Sequence, residues 1–372
     1  MAHSPGSRES LDALMADIAG GWTSGTGPDL GDAARAGQNG DGSPDRWCAF
    51  HFHHTCHRDR LLVECVQPLL KALWQDSIAE RFFFVRGSLG GSHVRLRLLL
   101  TEHAEPEDAR RTVLGFSRAF RDQRLAVAES DDAPTPLRPI TAADELTDAF
   151  CVSSPFAPPV ERYGGPEYFS ASADVFTVTS ILALRHLESS RDKPWAQRLP
   201  NAFRILADLA IGLARSSEEW LQGLAYVERW WGLSPLTEVF EHADSVFERQ
   251  RDTLSEMWRT EFSQIHALDD VGVEDVPAAF VAGRSFSERV RNIPSDQKRQ
   301  LFEWQLHTTA NRLGLTHTNE VYLGRLLLQS ARCLAASGSP QLSPWPRIQP
   351  RESEPLIRRL LEAHLGHAAA ET

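Results

Sequence analysis

The hydrophobic period of this chain changes near residue 166, and no other feature of the sequence constrains its fold as strongly. Before this point, apolar and polar residues alternate in short runs such as RWCAFHFHH (46–54) and VRLRLLL (94–100). This alternation predicts strands with one apolar face. After it, apolar residues recur every three or four positions, which predicts amphipathic helices. We therefore expect an α+β fold in which a sheet-containing part precedes a mainly helical part.

The sheet-containing part has the element order of a split β-α-β unit. We predict a strand, a helix, a strand pair, a second helix and a last strand, at residues 46–54, 58–74, 82–100, 106–123 and 148–153. Pro68 should kink the first helix, because proline interrupts the helical hydrogen bonds. Pro106 suits the first turn of the second helix, where an N–H is not needed. The order β-α-β-β-α-β predicts a ferredoxin-like arrangement.

The rest of the chain is predicted to be helical, with a proline-rich connector at 337–350. The expected helices are 166–188, 199–216, 218–231, 236–262, 286–313, 318–335 and 354–366. Residues 1–45 are rich in Gly, Asp and Ser and cannot bury enough apolar surface to offset their chain entropy. We therefore divide the chain into a flexible extension (1–45), an α+β portion (46–160) and a helical portion (161–372).

The net charge argues against one class of partner. The chain carries 39 Lys and Arg against 50 Asp and Glu, a formal charge of −11, so non-specific nucleic-acid binding is not its main task. Residues 81–124 are an exception, because they hold nine arginines and five acidic residues. This segment is suited to binding an acidic peptide or a phosphate.

Neither the cysteines nor the hydropathy indicates export or a membrane. The five cysteines include no C-x-x-C pair, which is more typical of a reduced protein than of a disulfide framework. No apolar run approaches the length of a membrane span, and the N-terminus lacks the apolar core of a signal peptide. We expect a cytoplasmic protein.

The strand that ends the predicted hairpin carries three polar side chains on one face. His93, Arg95 and Arg97 occupy alternate positions, so they should stand in a row about 7 Å apart. Such a row can bind an anion, but it can also be the solvated face of an antiparallel sheet. The turn before it contains glycines suited to positive φ, namely Gly87, Gly90 and Gly91.

A histidine-rich stretch, HFHHTCHRD (51–59), has the composition of a metal site. On a strand, His51 and His53 share a face while His54 opposes them, so only two or three groups could converge. No matching distant pair of ligands is obvious. We therefore favour a packing role for His54 and expect His51 and His53 to line a cleft.

A helix pair at 304–327 carries the second candidate site. The first helix should end at Gly314, and the second should be capped by Thr316 or Thr318. Polar and aromatic residues lie on one face of the first helix, namely Trp304, His307, Thr308 and Asn311. Such a stripe is poor core material unless each polar group finds a partner. Tyr322 could reach the same space, although a structural histidine and a packed tyrosine remain alternatives.

Three stretches together resemble one protein family. FFFVRGSLGGSHVRLRL (82–98) resembles the F-[FI]-x-R-x-x-x-x-G-P-H-[IL]-R-[IL]-R signature of the thiopeptide-type biosynthesis domain, which also forms the C-terminal elimination domain of lantibiotic dehydratases. VERYGGPE (160–167) and LHTTANRLGL (306–315) are similar to two further stretches of that family, in the same order. The resemblance implies that the arginine row contacts a modified ribosomal peptide and that residues 46–160 form a peptide-binding portion.

The resemblance leaves three functions open. A pyridine synthase joins two dehydroalanines in a formal [4+2] cycloaddition and then expels water and the leader peptide. An eliminase of the lantibiotic dehydratase type removes glutamate from a glutamylated residue, independently of tRNA, and leaves dehydroalanine. The third possibility is a non-catalytic module that binds the precursor peptide.

Departures from the family pattern favour the pyridine synthase. Ser92 stands in place of the signature proline, and Gly87 in place of an aromatic residue. The helix around His307 has threonines where elimination domains carry Met and a second His. Ala173 and Thr179 occupy positions that are charged in the family. The scaffold is expected to be retained with a changed pocket polarity, and 161–372 to complete the active site.

We assign roles to residues on this basis. Tyr322 is the expected proton donor, His307 the proton shuttle and Thr316 the group that orients a carbonyl. Substrate binding is assigned to Arg86, His93, Arg95, Arg97, Asn311 and Glu320, and leader binding to Arg110, Arg111, Arg118, Arg121 and Arg124. The expected partner is a ribosomal precursor peptide with its leader. We expect no metal, cofactor, nucleic acid or membrane, and we leave a homodimer open.

Overall fold

The structure is a computed structural model in which the chain divides into two compact units, Met1–Ala157 and Pro158–Thr372. It describes residues 46–53, 58–87, 93–128, 151–154, 156, 160–163, 165–191, 193–231, 237–266, 276–337 and 353–366. The predicted extension, the hairpin tip with Gly90 and Gly91, His54 and nearly all of the proline-rich connector lie outside these residues. The described part is mainly helical and contains a small four-stranded antiparallel sheet.

The first unit contains the sheet and two helical segments. Its strands are β1 (Trp47–His53), β2 (Ala79–Gly87), β3 (His93–Leu100) and β4 (Cys151–Ser154). They are arranged in the order β2-β3-β1-β4, and every neighbouring pair is antiparallel. A helical segment α1 connects β1 to β2, and the helix α2 (Pro106–Ala128) connects β3 to β4. The elements therefore follow the order β-α-β-β-α-β.

The segment α1 continues through Pro68 without a break. It consists of Arg58–Leu61, a π-helical turn Leu62–Val66 and the α-helix Gln67–Gln75. Proline has no N–H to donate to the carbonyl four residues earlier, and a π turn adapts the backbone to such a loss. In this turn the Gln67 amide bonds to the Leu62 carbonyl, five residues back.

One face of the sheet forms the core of the first unit. Leu96 lies opposite Phe50 on β1 and opposite Phe84 on β2, and directly opposed residues share a face. All three side chains are fully buried or nearly so. The segments α1 and α2 pack against each other and against the strands. This apolar layer fixes which side chains of β3 point to the opposite face.

The second unit consists of helices joined by short connections. Its helices are α3 (Pro166–Ser189), α4 (Trp195–Leu213), α5 (Ser217–Trp231), α6 (Thr237–His266), α7 (Ala278–Arg289), α8 (Ser295–Leu313), α9 (His317–Ala336) and α10 (Ser353–Leu365). A 3-10 turn, Val160–Tyr163, precedes them. No described helix of either unit has the length and hydropathy required to span a membrane.

The core of the second unit surrounds α3, whose residues 171–180 are all buried. The helices α7, α8 and α10 pack against α3, while α4 packs most extensively on α7. The approach of α4 to α7 depends on glycine, because a Cβ at Gly212 would lie 2.3 Å from the Phe280 carbonyl oxygen. A larger residue at this position would force the two helices apart.

The prediction of one helix over 286–313 is wrong. The structure has two helices there, since α7 ends at Arg289 and α8 begins at Ser295, with Pro294 as its N-cap. Proline disfavours helical backbone at the residue before it, so the chain turns at Ile293. The first half of α7, from Ala278, was not predicted as helix, although its residues from Ala279 to Ser287 are all buried.

Candidate functional site

The polar row on β3 forms as the sequence predicted. Arg95 lies opposite His51 of β1, and Arg97 lies opposite Ala49, on the face away from the apolar core. His93 is buried, whereas both arginines are partly exposed. On this face the imidazole rings of His51 and His93 stack with their centroids 5.8 Å apart. The structure therefore brings His51, His93 and the two guanidinium groups together.

The histidines hold both guanidinium groups in place. Arg95 Nε donates to Nε2 of His93 over 2.9 Å, so this ring nitrogen must be the unprotonated acceptor. Arg97 Nη2 lies 3.4 Å from Nε2 of His51. Burial, followed by the charges of Arg97 and Arg95, lowers the pKa of His51 to about 3. The His51 ring is thus a neutral acceptor at physiological pH.

Aromatic groups complete this face of the sheet. The guanidinium carbon of Arg97 lies 5.0 Å from the ring centre of Phe156, in cation-π geometry. Phe156 also contacts Trp47 and Phe83, with ring centroids 5.5 Å and 6.3 Å away. Burial lowers the pKa of the nearby Arg95 guanidinium, which still remains charged. A partly desolvated guanidinium binds carboxylate or carbonyl oxygens more strongly than a fully hydrated one does.

Gly87 is required by a close contact rather than by positive φ. It is the last residue of β2, lies opposite His93 and is not among the described glycines with positive φ. A Cβ at this position would lie 2.1 Å from Nε2 of His93. The expectation of a positive φ at Gly87 is therefore wrong, because the His93 ring occupies the space of a side chain.

Arg86 does not join the row. It lies opposite Val94, so its side chain projects from the core face of the sheet. There it is 8% exposed and forms an ion pair with Asp59 of α1, with Nη1 and Oδ1 2.5 Å apart. The sheet separates Arg86 from Arg95 and Arg97. Its assignment to substrate binding stays a prediction, which this placement does not favour.

The arginines of α2 whose side chains are described are exposed or partly exposed. Three of them form ion pairs within the helix, Arg110 with Glu107, Arg111 with Asp108 and Arg121 with Asp122. Arg118 is exposed, and the side chain of Arg124 lies outside the described atoms. The acidic neighbours reduce the positive potential of this helix. Leader binding here stays a prediction.

In the second unit, the turn between α8 and α9 positions an acid-base pair. Gly314 ends α8 in the left-handed conformation with φ of 82°, as glycine allows. Thr316 is the N-cap of α9, and its hydroxyl accepts the Asn319 amide over 3.3 Å. The predicted helix end and one of the two predicted caps are therefore confirmed. Glu320 occupies the first turn of α9.

His307 of α8 and Glu320 of α9 form the central contact of this site. His307 Nδ1 lies 2.9 Å from Glu320 Oε2; the histidine side chain is 31% exposed and the glutamate side chain 5%. Burial disfavours the imidazolium, but the charge and hydrogen bond of Glu320, together with the charge of Glu303, outweigh it. They raise the pKa of His307 to about 9. His307 is therefore a protonated and accessible acid at neutral pH.

His317, which the sequence analysis did not select, lies beside this pair. Burial and the charge of His307 lower its pKa, against the opposing effect of Glu320. Its Nε2 is buried and has no hydrogen-bond partner among the described residues. Two histidines with opposite pKa shifts next to one carboxylate have the character of an acid and a base. From the sequence alone, a histidine in the first turn of a helix cannot be distinguished from a solvent-facing residue. No sequence pattern therefore identified His317.

The other polar residues predicted on α8 have different environments. Trp304 packs near His307, and Tyr163 packs against Trp304, with ring centroids 6.1 Å and 6.2 Å apart. Asn311 is partly exposed. The hydroxyl of Thr308 donates to the Trp304 carbonyl of its own helix, so it leaves no donor for a ligand.

Tyr322 is not part of the His307 cluster. It follows Glu320 by two residues on α9, a rotation of about 200°, which directs it to the other side of the helix. Its ring stacks on His242 of α6, with centroids 5.6 Å apart. Burial raises its pKa, so the phenol is protonated. The expectation that Tyr322 reaches the same space as His307 is wrong because of this helical rotation.

The positions that depart from the family pattern on α3 are both buried. Ala173 is 2% exposed, and Thr179 is fully buried. The Thr179 hydroxyl donates to the carbonyl of Val175 over 2.8 Å. Neither side chain contributes a charge or an available donor. In the described part of the chain, no group of three His, Cys, Asp or Glu side chains has an arrangement that could hold a metal ion.

Comparison with protein families gives a match over most of the chain. The family described as the C-terminal part of lantibiotic biosynthesis dehydratases matches residues 47–331. This range includes β1 to β4 and all helices of the second unit except α10, with α9 only in part. No curated protein sequence matches significantly.

Solved structures with the same fold include three from related systems. The pyridine synthase TbtD from thiomuracin biosynthesis is 19% identical, and the match covers 78% of this chain and 99% of that one with a TM-score of 0.54. The tRNA-dependent lantibiotic dehydratase MibB from Microbispora sp. 107891 is 19% identical, with 82% of this chain covered but only 29% of that one, and a TM-score of 0.54. TsrL is 18% identical, with coverages of 84% and 98% and a TM-score of 0.52.

Proposed function

Because the chain belongs to the family of lantibiotic biosynthesis dehydratase C-terminal domains, we propose that it is a pyridine synthase that acts on a ribosomal precursor peptide. The reaction joins two dehydroalanines in a formal [4+2] cycloaddition. It then releases water and the leader peptide, the leader as a carboxamide, to give an aromatic ring in a macrocycle. The likeness in fold to TbtD, which aligns over nearly its whole length, is consistent with this proposal.

The observation that carries the proposal is the cluster of His307, Glu320 and His317. One amide of the substrate must shift to its iminol form, which requires a proton at the carbonyl oxygen and loss of the amide proton. The imidazolium of His307 supplies the first proton, and the charge of Glu320 stabilises this imidazolium before the transfer. Neutral His317, beside this pair, is the proposed acceptor of the second proton, and its buried Nε2 must become accessible when the peptide binds. His317 then returns this proton to the departing hydroxyl, while His307, left neutral by the first transfer, takes up the proton lost from the ring. His307 is thereby charged again and protonates the leader amide.

Three further side chains belong to the proposal. Thr316 accepts a hydrogen bond from the Asn319 amide and keeps its own O–H, which can orient a substrate carbonyl. Tyr322 is a protonated phenol and serves as a donor on the α6 side of α9. Asn311, which lies one turn beyond His307 on α8, binds a peptide amide. The fixed positions of these groups provide much of the rate acceleration, because the two alkenes are tethered.

The sheet unit is proposed to bind the peptide. Arg95 and Arg97, held by His93 and His51, contact carboxylate or carbonyl groups of the modified peptide. The element order and the strand order β2-β3-β1-β4 support a ferredoxin-like description of this unit. The boundary between a peptide-binding portion (46–160) and a helical catalytic portion is part of the same proposal, as is a cytoplasmic location.

The leader is proposed to bind along α2. Its exposed arginines can attract an acidic segment even though the whole protein is negative. Such binding must weaken as the salt concentration rises. Arg118→Glu should weaken leader binding about fivefold, and Arg358→Glu, on the exposed side of α10, serves as a control. Leader binding that does not respond to salt would contradict this assignment.

Mass spectrometry separates the two reactions. The enzyme should convert a peptide with two dehydroalanines into a macrocycle and release the leader as an amide. An eliminase would act only on a glutamylated peptide and release glutamate. His307→Ala should lower the cyclisation rate by about 100-fold or more, the usual range for a general acid, while His103→Ala, a control at an exposed histidine of the sheet unit, should have little effect. Full rates in both His307→Ala and Tyr322→Phe would refute the site assignment.

A further inference from the structure

A cavity in the second unit is separate from the histidine cluster. It has a volume of about 70 Å³ and is bounded by the end of α4 and by α5, α7 and α8. Its lining consists of Leu213, Ala214, Glu219, Gln222, Gly223, Phe286, Ser287, Val290, Ser295, Lys298, Arg299 and Phe302. On α8, Phe302 and His307 are five residues apart, a rotation of about 140°, so the cavity and the acid-base pair face different directions.

One wall of the cavity is apolar and rigid. Phe286, Val290 and Phe302 are each at most 6% exposed. The ring of Phe302 packs directly on Gly223 of α5, where a Cβ would lie 2.9 Å from ring carbons. This wall can receive a short aliphatic stem but offers no hydrogen bond to a polar group.

The opposite wall carries mostly paired charges. Glu219 Oε1 accepts a hydrogen bond from Arg215 Nη2, and Glu219 Oε2 accepts one from the Arg215 backbone amide, each over 2.9 Å. Burial tends to raise the pKa of Glu219, but the hydrogen bonds from Arg215 outweigh this effect, so the pKa is lowered overall. The carboxylate is therefore ionised, and both of its oxygens accept hydrogen bonds. Arg299 pairs with Asp296 at the start of α8. Both carboxylates are therefore already hydrogen-bonded to arginines, although the charge of Glu219 still acts on the nearby Lys298.

Lys298 is the cation that lacks such a partner. Within the described part of the chain, its ammonium makes no hydrogen bond and no ion pair. The charged groups that act on it are Arg215 and Glu219, which are already paired with each other. Burial and the charge of Arg215 lower the pKa of Lys298, against the attraction of Glu219. A partly buried ammonium next to an apolar wall needs an anion to complete its environment.

We propose that this cavity binds a single carboxylate on a short aliphatic stem, with Lys298 as its cation and Phe302 as its apolar floor. The volume of about 70 Å³ suits the carboxylate and its short stem. A free short-chain carboxylate and the side chain of a peptide glutamate share this chemistry. The inference does not depend on the reaction proposed above.

The lysine content of the chain makes the test direct. The sequence contains three lysines, Lys71, Lys193 and Lys298, and the first two are exposed. In protein labelled with ¹³C-lysine, propionate should shift the Lys298 signal saturably and raise its pKa, because the bound anion favours the ammonium. The signals of Lys71 and Lys193 act as internal controls. Propionamide, which has the same shape without the charge, should shift none of them.

Variants and peptides define the site further. Lys298→Met should weaken propionate binding by about tenfold or more, as expected for loss of a charged hydrogen bond. Lys193→Met should not weaken it, and Lys298→Arg should retain part of it. A short amidated peptide with one Glu, compared with its Gln counterpart, tests whether the carboxylate can come from a peptide. If propionate binds and the Glu peptide does not, the site recognises free carboxylates. If propionate and the Glu peptide both bind, the carboxylate can come from a free acid or from a peptide side chain.

Two results would overturn the proposal. One is a Lys298 signal that neither propionate nor the Glu peptide shifts at concentrations that saturate simple carboxylate sites. The other is an equal response to propionate and propionamide, which would indicate an apolar cavity without carboxylate recognition. Neither result bears on cyclisation, so a failure here is distinct from a failure of the proposed reaction.

Discussion

His307 and His317 lie beside one buried carboxylate, that of Glu320, and their pKa values are displaced in opposite directions. The carboxylate makes a direct hydrogen bond to His307 only. His317, at the first position of α9, is more affected by burial and by the positive charge of His307. Glu320 thus keeps His307 protonated, whereas burial and the positive charge of His307 keep His317 neutral at the same pH.

Glu320→Gln should lower the pKa of His307 from about 9 to below its ordinary value, because burial then acts without the compensating charge. The groups that remain near His307 are Glu303, Arg312 and His317. NMR titration of the histidine ring signals measures this change directly. Glu362→Gln, at a partly exposed position on α10, is the control. A His307 pKa that stays near 9 in Glu320→Gln would show that another group holds the proton.

The same pair predicts how stability depends on pH. The folded-state pKa of His307, about 9, lies above the unfolded value of about 6.5. The stabilisation by the pair is therefore complete below about pH 6.5 and is lost as the pH rises through 9. The wild type should exceed Glu320→Gln in unfolding free energy by about 1–3 kcal/mol at pH 6, and by less at pH 9.5. Urea unfolding at several pH values checks this, and a difference that grows with pH would contradict it.

Arg86→Met should destabilise the sheet unit. It removes one partner of a buried ion pair and leaves Asp59, whose side chain is 17% exposed, without its cation. Such a loss costs about 3–5 kcal/mol. Arg86→Met combined with Asp59→Leu should recover part of this stability, since neither member of the pair is then left alone, although Arg58 loses the favourable charge of Asp59. Thermal unfolding measures both variants. A loss of peptide affinity in a stable Arg86→Met protein would instead support the predicted role in substrate binding.

Gly87→Ala should destabilise the protein because the new methyl group would clash with the side chain of His93. The new Cβ would overlap the His93 ring, which must move and release Arg95. We expect a loss of about 1–3 kcal/mol, typical of overpacking. The double variant Gly87→Ala, His93→Ala should be less affected than the sum of the single changes, because the obstructing ring is gone. Additive effects in this double-mutant cycle would show that the strain has another origin.

Arg97→Ala should weaken binding of the modified peptide without a comparable loss of stability. Its guanidinium contacts the neutral groups of Phe156 and His51, and the loss of contacts with neutral groups costs less stability than the loss of one partner of a buried ion pair. The loss of a charged hydrogen bond corresponds to about tenfold in affinity. Arg81→Ala, one strand away and on the same face, is the matched control. Unchanged affinity and turnover in Arg97→Ala would refute the peptide-binding role of the row.

The sequence predicted those features that depend on local period. The face of β3 with Arg95 and Arg97 follows from strict alternation, and the end of α8 follows from Gly314. Arg86 was assigned to substrate binding for its charge, and this assignment stays a prediction although the residue lies on the core face of the sheet. Its face depends on the hairpin register, which the turn residues determine and the alternation of one strand does not. The break at Pro294 was missed because the apolar period of the two helices continues across it.

Other parts of the site depend on contacts that no sequence period contains. Tyr322 was expected near His307 from its distance along the chain, but the rotation of α9 directs it toward α6. His317 acquires its character from burial and from a charge ten residues earlier. A sequence shows the residue types, whereas the pKa of a group depends on which neighbours remove it from water.

The turn at Gly314 has a consequence for how the His307–Glu320 pair assembles. His307 and Glu320 are separated by 13 residues, so the loop that must close to join them is short and its entropy cost is small. The α8–α9 hairpin can therefore form the pair early in folding, before the distant contacts of α3 or α7 are made. Substitutions that loosen the packing elsewhere in the helical unit should leave this pair among the last contacts to be lost on denaturation.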